Sequence, residues 1–238
     1  MMELSKRLKA VADLVTPGMR LADVGTDHGY VPIYLVERGI VPSAIAMDVN
    51  KGPLERAREH IRECALEEKI STRLSDGLTN LKIEETDSVI AAGMGGGLVI
   101  RIFSEQEEKA VRLKELILQP QSEIAKVRRY LNENGWRIIK EDMVLEDRKF
   151  YPMMKAVRGE GQPYSEEELE FGKLLLQEKH PVLRQYLERE KKIGQSILAE
   201  LSLQKGERIL ERREVLLHRI ERIDRILGEY GSRRGGDT

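Results

Sequence analysis

Leu21-Ala22-Asp23-Val24-Gly25-Thr26-Asp27-His28-Gly29-Tyr30 joins an apolar run to an acidic residue, two spaced glycines and the start of a helical pattern. The order reads as a strand end, a tight turn and a helix N-terminus. Glycine has no Cβ, so a ligand can approach the backbone of such a turn closely. Asp48 ends a second apolar run roughly twenty residues on, where a carboxylate can hold both hydroxyls of a ribose. Its other role is capping the next helix, for which Asn50 is better placed. Asp76-Gly77 follows a third run and suits either an adenine amine or a plain turn. Ala92-Gly93-Met94-Gly95-Gly96-Gly97 follows a fourth. Its successive N–H groups could form an anion nest, and its glycines leave room for a flat base. A helix-start loop without a ligand is the alternative.

The ligand can be narrowed. A dinucleotide turn reads G-x-G-x-x-G, whereas Asp23-x-Gly25-x-x-x-Gly29 lacks the second glycine that gives a pyrophosphate room. An acidic residue at the strand end suits an ammonium group instead. S-adenosylmethionine has an amine, a sulfonium and no phosphate. The cofactor-binding candidates are therefore Asp23, Gly25, Gly29, Asp48, Asp76, Gly77 and Gly93. Enzymes that methylate the exocyclic amine of adenine usually carry an Asn/Asp-Pro-Pro-aromatic stretch after the fourth strand. Its absence here turns attention to a ring nitrogen. His28 and Asp27 have no partner at a metal-ligand spacing, so no metal is expected. His28 either fixes the loop or contacts a ligand, and Tyr30 either stacks on a base or packs on the sheet. Gln119-Pro120-Gln121 ends a fifth apolar run, and its polar side chains could line the same cleft.

These points need a frame that brings them to one edge. Residues 3–15 carry apolar positions at helical spacing, with Lys6, Arg7 and Lys9 on the polar side, read as a solvated face in preference to an RNA contact. Strand and helix patterns then alternate: strands at 20–24, 44–48, 70–74, 87–92 and 115–119, helices at 30–37, 53–67, 98–103 and 123–133. That alternation predicts a mainly parallel sheet covered on both faces. Residues 136–145 and 149–157 follow without a helix between them and pair as an antiparallel hairpin at the sheet edge. The expected fold is α/β, a Rossmann-like class I methyltransferase sheet. A boundary is expected after residue 160. Residues 161–238 then read as two long helices folded back on each other, from apolar residues at coiled-coil spacing and a turn near Gly206, with a frayed tail from Gly231. One continuous helix that dimerises is the alternative. Lys205, Arg208, Arg212, Arg219 and Arg222 share one stripe of the last helix. They could track a phosphate backbone or pair with glutamates of the facing helix.

Composition sets outer limits. The 238 residues carry 40 Lys and Arg against 41 Asp and Glu, a net charge of −1, so global charge does not announce a nucleic-acid binder. The single Cys64 excludes an internal disulfide and a multi-cysteine metal site. No apolar run approaches the roughly 20 residues of a membrane span. A soluble, cytoplasmic protein is expected.

Leu21 through Pro32 and Ala91 through Gly96 together resemble the signature stretches of the TrmK family, bacterial tRNA (adenine-N1)-methyltransferases acting on adenine 22 of the D-arm. Leu116 through Gln121 and the helical hairpin are similar to that family as well. Gly29, where the family more often has alanine, and Asp48, where it often has glutamate, depart from the pattern. The resemblance implies S-adenosylmethionine as donor and tRNA as acceptor. On that footing Asp27, His28 and Tyr30 are the catalytic candidates, with Asp27 facing the charge that develops on the base and Tyr30 stacking on it. Tyr30, Gly95, Gly96, Arg208, Arg212 and Arg219 are the tRNA-binding candidates. A monomer is favoured over an oligomer. A methyltransferase of another substrate and a non-catalytic RNA-binding protein are the competing readings.

Overall fold

The computed structural model describes residues 2–204 and 206–231; Lys205 and the tail from residue 232 lie outside them. Packing divides the chain into two compact units, Met1–Ser165 and Glu166–Thr238. Residues 161–165, after the expected boundary, form neither helix nor strand.

The first unit opens with α1 (Lys6–Ala12), capped by the Ser5 hydroxyl, which accepts from the Leu8 N–H at 3.3 Å. The helix is shorter than the apolar spacing over 3–15 suggests, because Leu14 and Val15 donate to carbonyls only three residues back and tighten the chain into a turn. There follow β1 (Leu21–Val24), α2 (Tyr30–Glu37), β2 (Ala44–Asp48), α3 (Lys51–Glu63), β3 (Ile70–Leu74), β4 (Ser88–Gly95), α4 (Gly96–Ser104), α5 (Glu107–Ala110), β5 (Glu115–Ser122), α6 (Ile124–Glu133), β6 (Trp136–Glu146) and β7 (Lys149–Arg158). The strands form one sheet in the order β3-β2-β1-β4-β5-β7-β6. The first five run parallel, and β7 lies antiparallel between β5 and β6.

All four residues of β1 are buried, as a central strand covered on both faces requires. β1 leads to β2 on one side, and the chain returns to β4 on the other. That reversal opens a crevice at the carboxyl ends of the strands. Val11, Leu14, Ile33 and Leu35 pack with Leu21, Ile90 and Ile117 to hold α1 and α2 against the sheet. At the far edge Arg128 of α6 reaches Glu141 of β6 at 2.8 Å, with both side chains essentially out of solvent.

The second unit contains α7 (Glu166–Phe171), α8 (Lys173–Gln177), α9 (Pro181–Ser202) and α10 (Glu207–Gly231). The first two are too short, at 6 and 5 residues, to show a helical period in the sequence. The long pair folds back between the end of α9 at Ser202 and the start of α10 at Glu207. The Tyr230 hydroxyl donates to the His180 carbonyl at 3.4 Å, which sets the end of α10 beside the start of α9. The apolar rhythm closes within one chain, because Leu183 and Leu187 of α9 and Ile220 and Ile223 of α10 are buried.

The Arg128–Glu141 pair carries a prediction about stability. Breaking a buried ion pair by removing one partner costs about 3–5 kcal/mol, whereas an apolar replacement of both is often near neutral. Glu141→Ala is expected to lower the urea unfolding free energy by about that amount. The double variant Arg128→Met, Glu141→Leu should lose less. A double variant less stable than Glu141→Ala would contradict this.

Candidate active site

β1 ends in a turn that only glycine fits. Gly25 has φ +77°, and a Cβ there would lie 2.3 Å from the Met94 methyl. The Gly25 and Thr26 N–H groups both donate to the Met47 carbonyl, at 2.8 and 3.0 Å, which pins the turn to β2. Gly29, also left-handed, caps the start of α2. The turn thus faces a cleft of about 390 Å³. Asp23, Gly25, Asp27, His28, Gly29, Tyr30 and Gly93 all line it, with Arg7, Thr26 and Gln121 beside them. The structure therefore brings the first glycine motif and the start of the second to one place.

Asp23 is the buried charge of this cleft, 7% exposed. Burial pushes its carboxyl up from the usual 3.8 to about 6. The Thr26 hydroxyl, short of full hydrogen-bond geometry, pulls it down in part, and the Asp48 charge pushes it up further. Thr26 Oγ1 and His28 Nδ1 are buried without a hydrogen-bond partner among the described residues. Buried polar atoms are rarely left unsatisfied, so two in one cleft mark where a polar ligand belongs. A carboxylate, a hydroxyl and an imidazole beside a glycine turn fit the amino-acid end of S-adenosylmethionine.

The Asp27 carboxylate accepts from Arg56 Nη2 at 3.0 Å and lies 3.5 Å from His28 Nε2. It stands in the cleft wall, largely exposed, with a cation already beside it. His28, Tyr30 and His60 form a cluster of near-parallel rings with centroids 5.1 to 5.6 Å apart. The His60 ring is tied by Nδ1 to the His28 carbonyl at 3.0 Å. His60, Arg56 and Arg7 carry no signal of the cleft in the sequence. The first two lie on α3 among other charged residues, where nothing distinguishes them, and Arg7 looks like part of a solvated face.

Other candidates sit elsewhere. Asp48 ends β2 near Asp23, and its Oδ1 accepts from the Asn50 N–H at 2.8 Å. Asn50 stands at the N-cap position, as expected, but makes no side-chain cap bond, and Asp48 organises the turn into α3. Asp76 is exposed and paired with Arg101 at 3.1 Å. Gly77 is buried against Ile102 of α4, in a packing role. The glycine run is not an open nest. β4 continues to Gly95, and α4 begins at Gly96. The Gly93, Gly96 and Gly97 N–H groups donate to Gln119 Oε1, Ser122 Oγ and Glu123 Oε2 at 3.2, 3.3 and 3.1 Å. With those amides occupied and a carboxylate at the helix start, these three N–H groups are not free to bind an anion. A Cβ on Gly96 would fall 2.4 Å from the Ser122 carbonyl oxygen, so Gly96 serves the close approach of α4 to β5. In the second unit Arg219 pairs with Glu170 at 2.8 Å and Glu190 at 3.2 Å, and Arg222 with Glu170 at 3.4 Å. That half of the basic stripe is bound to glutamates, whereas Arg208 and Arg212 are exposed.

A mainly parallel seven-stranded sheet with β7 inserted antiparallel, and an acid–glycine turn at the end of its central strand, define a class I methyltransferase. Residues 4–154 match a family model described as a methyltransferase domain. The tRNA (adenine(22)-N(1))-methyltransferase of Bacillus subtilis (strain 168) is 35% identical over 159 residues, 67% of each chain. The crystal structure of the B. subtilis m1A22 tRNA methyltransferase TrmK superposes with a TM-score of 0.86 at 30% identity, over 95% of this chain and 100% of that one. M. capricolum TrmK, in complex with the cofactor product S-adenosyl-homocysteine, superposes at 0.83 and 28% identity, over 96% and 99%. The chain belongs to the TrmK family of tRNA (adenine(22)-N1)-methyltransferases. Among the described residues no helix is long and apolar enough to cross a membrane, and no cluster of three or more His, Cys, Asp or Glu is placed to hold a metal.

Asp23 gives a prediction with a definite sign. Its folded pKa lies above its unfolded value, so its contribution to stability is fully present below pH ~4 and is lost as pH rises through about 6. Two pKa units correspond to about 3 kcal/mol. Asp23→Asn should match the wild-type unfolding free energy near pH 4 and exceed it at pH 7 by up to about that amount. A difference that stays constant between those pH values would contradict the assignment.

Proposed function

We propose that this chain transfers a methyl group from S-adenosylmethionine to N1 of adenine 22 in tRNA. The observation that carries the reading is the shared cleft. The buried Asp23 of the cofactor turn and the Asp27-His28-Tyr30 segment meet within one crevice at the carboxyl ends of the strands. The family and the relatives' activity agree with it.

S-adenosylmethionine supplies an electrophilic methyl group on a sulfonium. Adenine N1 has an in-plane lone pair and needs no prior deprotonation, so the residues act by position and electrostatics. Asp23 orients the methionine ammonium, and the unpartnered Thr26 hydroxyl and His28 imidazole complete the polar contacts. Asp48 would hold the ribose hydroxyls and Asp76 would accept from the adenine amine. Paired adenine hides N1, so the target base must leave its stack. Tyr30, held by His28 and His60, offers the surface on which the extruded base extends the ring cluster. Asp27 faces the cationic product base. Gly93 to Gly97 shape the wall of the pocket by their small size, without binding an anion.

Residues 1–160 carry the chemistry on this reading, and the helical part beyond them holds the tRNA body. Arg208 and Arg212, exposed on α10, are the phosphate contacts of that part; Arg219 shapes the hairpin through its glutamates. The apolar seam between α9 and α10 closes within one chain, which favours a monomer. The protein works in the cytoplasm, where tRNA is found.

Incubation with labelled S-adenosylmethionine and bulk tRNA, followed by nucleoside mass analysis, should yield 1-methyladenosine, with a reverse-transcription stop at position 22. Label appearing only in another nucleoside, or none, overturns the reading. Stacking of one base is worth about 1–3 kcal/mol, so Tyr30→Ala should lose about ten- to a hundredfold in kcat/KM while Tyr30→Phe keeps most of it. Full activity in Tyr30→Ala would remove Tyr30 from the site.

A further inference from the structure

α3 lays one face along residues 27–30. Arg56 and His60, four positions apart, share that face with Ala57. A Cβ built on Gly29 would lie 3.2 Å from the Ala57 Cβ, so the helix runs tight against the turn. His60 meets the His28 carbonyl through Nδ1 and the Tyr30 ring through its own. Arg56 meets Asp27, with Nη2 donating to Oδ1 at 3.0 Å. The other oxygen of that carboxylate lies 3.5 Å from His28 Nε2. Nothing above gives Arg56 a task.

Two cations have a claim on Asp27. Arg56 holds it in the free protein, and the adenine becomes cationic as N1 takes the methyl group. A carboxylate already answering a guanidinium has less attraction left for the base. The pair is open to exchange, because the Arg56 side chain is 45% exposed and that of Asp27 70%. An ion pair so exposed holds by only about 0–1 kcal/mol. An extruded nucleotide brings an exchange partner with it, since its base is tied to a phosphodiester. A guanidinium has five N–H donors in a planar fork that matches phosphate oxygens. The Asp27 contact uses one of them, and Asp27 is the only hydrogen-bond partner of that guanidinium among the described residues.

We propose that Arg56 leaves Asp27 for a phosphate of the nucleotide that carries the target adenine, and so frees Asp27 to face the base as it becomes cationic. The proposal rests on the methyltransferase reading. Arg56 is then a substrate contact, and entry of the nucleotide releases the carboxylate that the product charge needs. The competing role is a fixed tie that only holds Asp27 in place. Openness to solvent and unused donors favour the exchange.

Wild type, Arg56→Gln, Arg56→Lys, Asp27→Asn and the double variant Asp27→Asn, Arg56→Gln separate the two roles. Each is measured for tRNA methylation over a range of salt and for S-adenosylmethionine binding by calorimetry. Arg56→Gln should lose about ten- to a hundredfold in kcat/KM for tRNA, the range of a charged hydrogen bond. Its plot of log kcat/KM against log salt should flatten by about 0.7 to 0.9, one phosphate contact. Arg56→Lys, which keeps the charge without the fork, should keep the wild-type slope. Cofactor affinity should not change in either, which reports an intact site. The loss and the flattening should recur when Arg56→Gln is added to Asp27→Asn, because a phosphate contact does not need Asp27. If both vanish in that background, Arg56 only supports Asp27 and the proposal falls. An unchanged salt slope, a gain of activity in Arg56→Gln or weakened cofactor binding also overturns it. A wild-type chain that binds S-adenosylmethionine but methylates no adenine of tRNA brings down the reading beneath the proposal as well.

Discussion

A carboxylate buried at the end of the central strand is the constraint to which the rest of the first unit answers. Asp23 sits in β1, every residue of which is covered, and its charge is disfavoured by that burial. An uncompensated buried charge is costly, and sequence positions that keep one usually keep it for a ligand. The surroundings are arranged accordingly. Gly25 turns the chain two residues after Asp23, where Met94 closes over a position without room for a side chain. Two backbone N–H groups of that turn hold it to the neighbouring strand. The seven-stranded sheet fixes the height at which the acid, the turn and the start of α2 meet, and α1 covers them from the side.

The second unit works through opposite means. Its hairpin is a narrow apolar seam flanked by charges of both signs, and most of those charges answer each other. Arg219 and Arg222 share Glu170, Arg219 also reaches Glu190, Arg225 pairs with Glu167, and Lys191 with Asp224. Such pairs, partly exposed, add little stability individually but fix which faces of α7, α9 and α10 meet. The net charge of −1 therefore conceals a division within one helix. The first turns of α10 keep exposed arginines, and its later turns commit theirs to glutamates.

The strands of the sheet were legible because fully buried strands read as apolar runs, and their alternation with helices leaves few topologies. β1, β2 and β3 stand in the structure where their runs end in Asp23, Asp48 and the segment before Asp76. The hairpin was legible from its apolar spacing, and Gly206 marked its turn. Other features depend on partners far along the chain. The glycine run looks like an open nest until Gln119, Ser122 and Glu123 of the next strand and turn, 26 residues on, are seen to take its N–H groups. Arg7 looks like one more solvated cation until β5 brings Gln119 to it across 112 positions. His60 belongs to a polar helix face in sequence and to the Tyr30 ring cluster in space. Short helices such as α5, α7 and α8 are set by packing more than by any periodicity that four to six residues can display.

The account turns on Asp23 exchanging its burial cost for a bound ammonium, and proton release reads that exchange directly. S-adenosylhomocysteine should be titrated at pH 6 in buffers of different ionisation enthalpy. Wild type, with Asp23 near half protonation at that pH, should release about half a proton on binding, and Asp23→Asn should release none. Tight binding by the wild type with no proton released, or equal release by Asp23→Asn, would contradict the account.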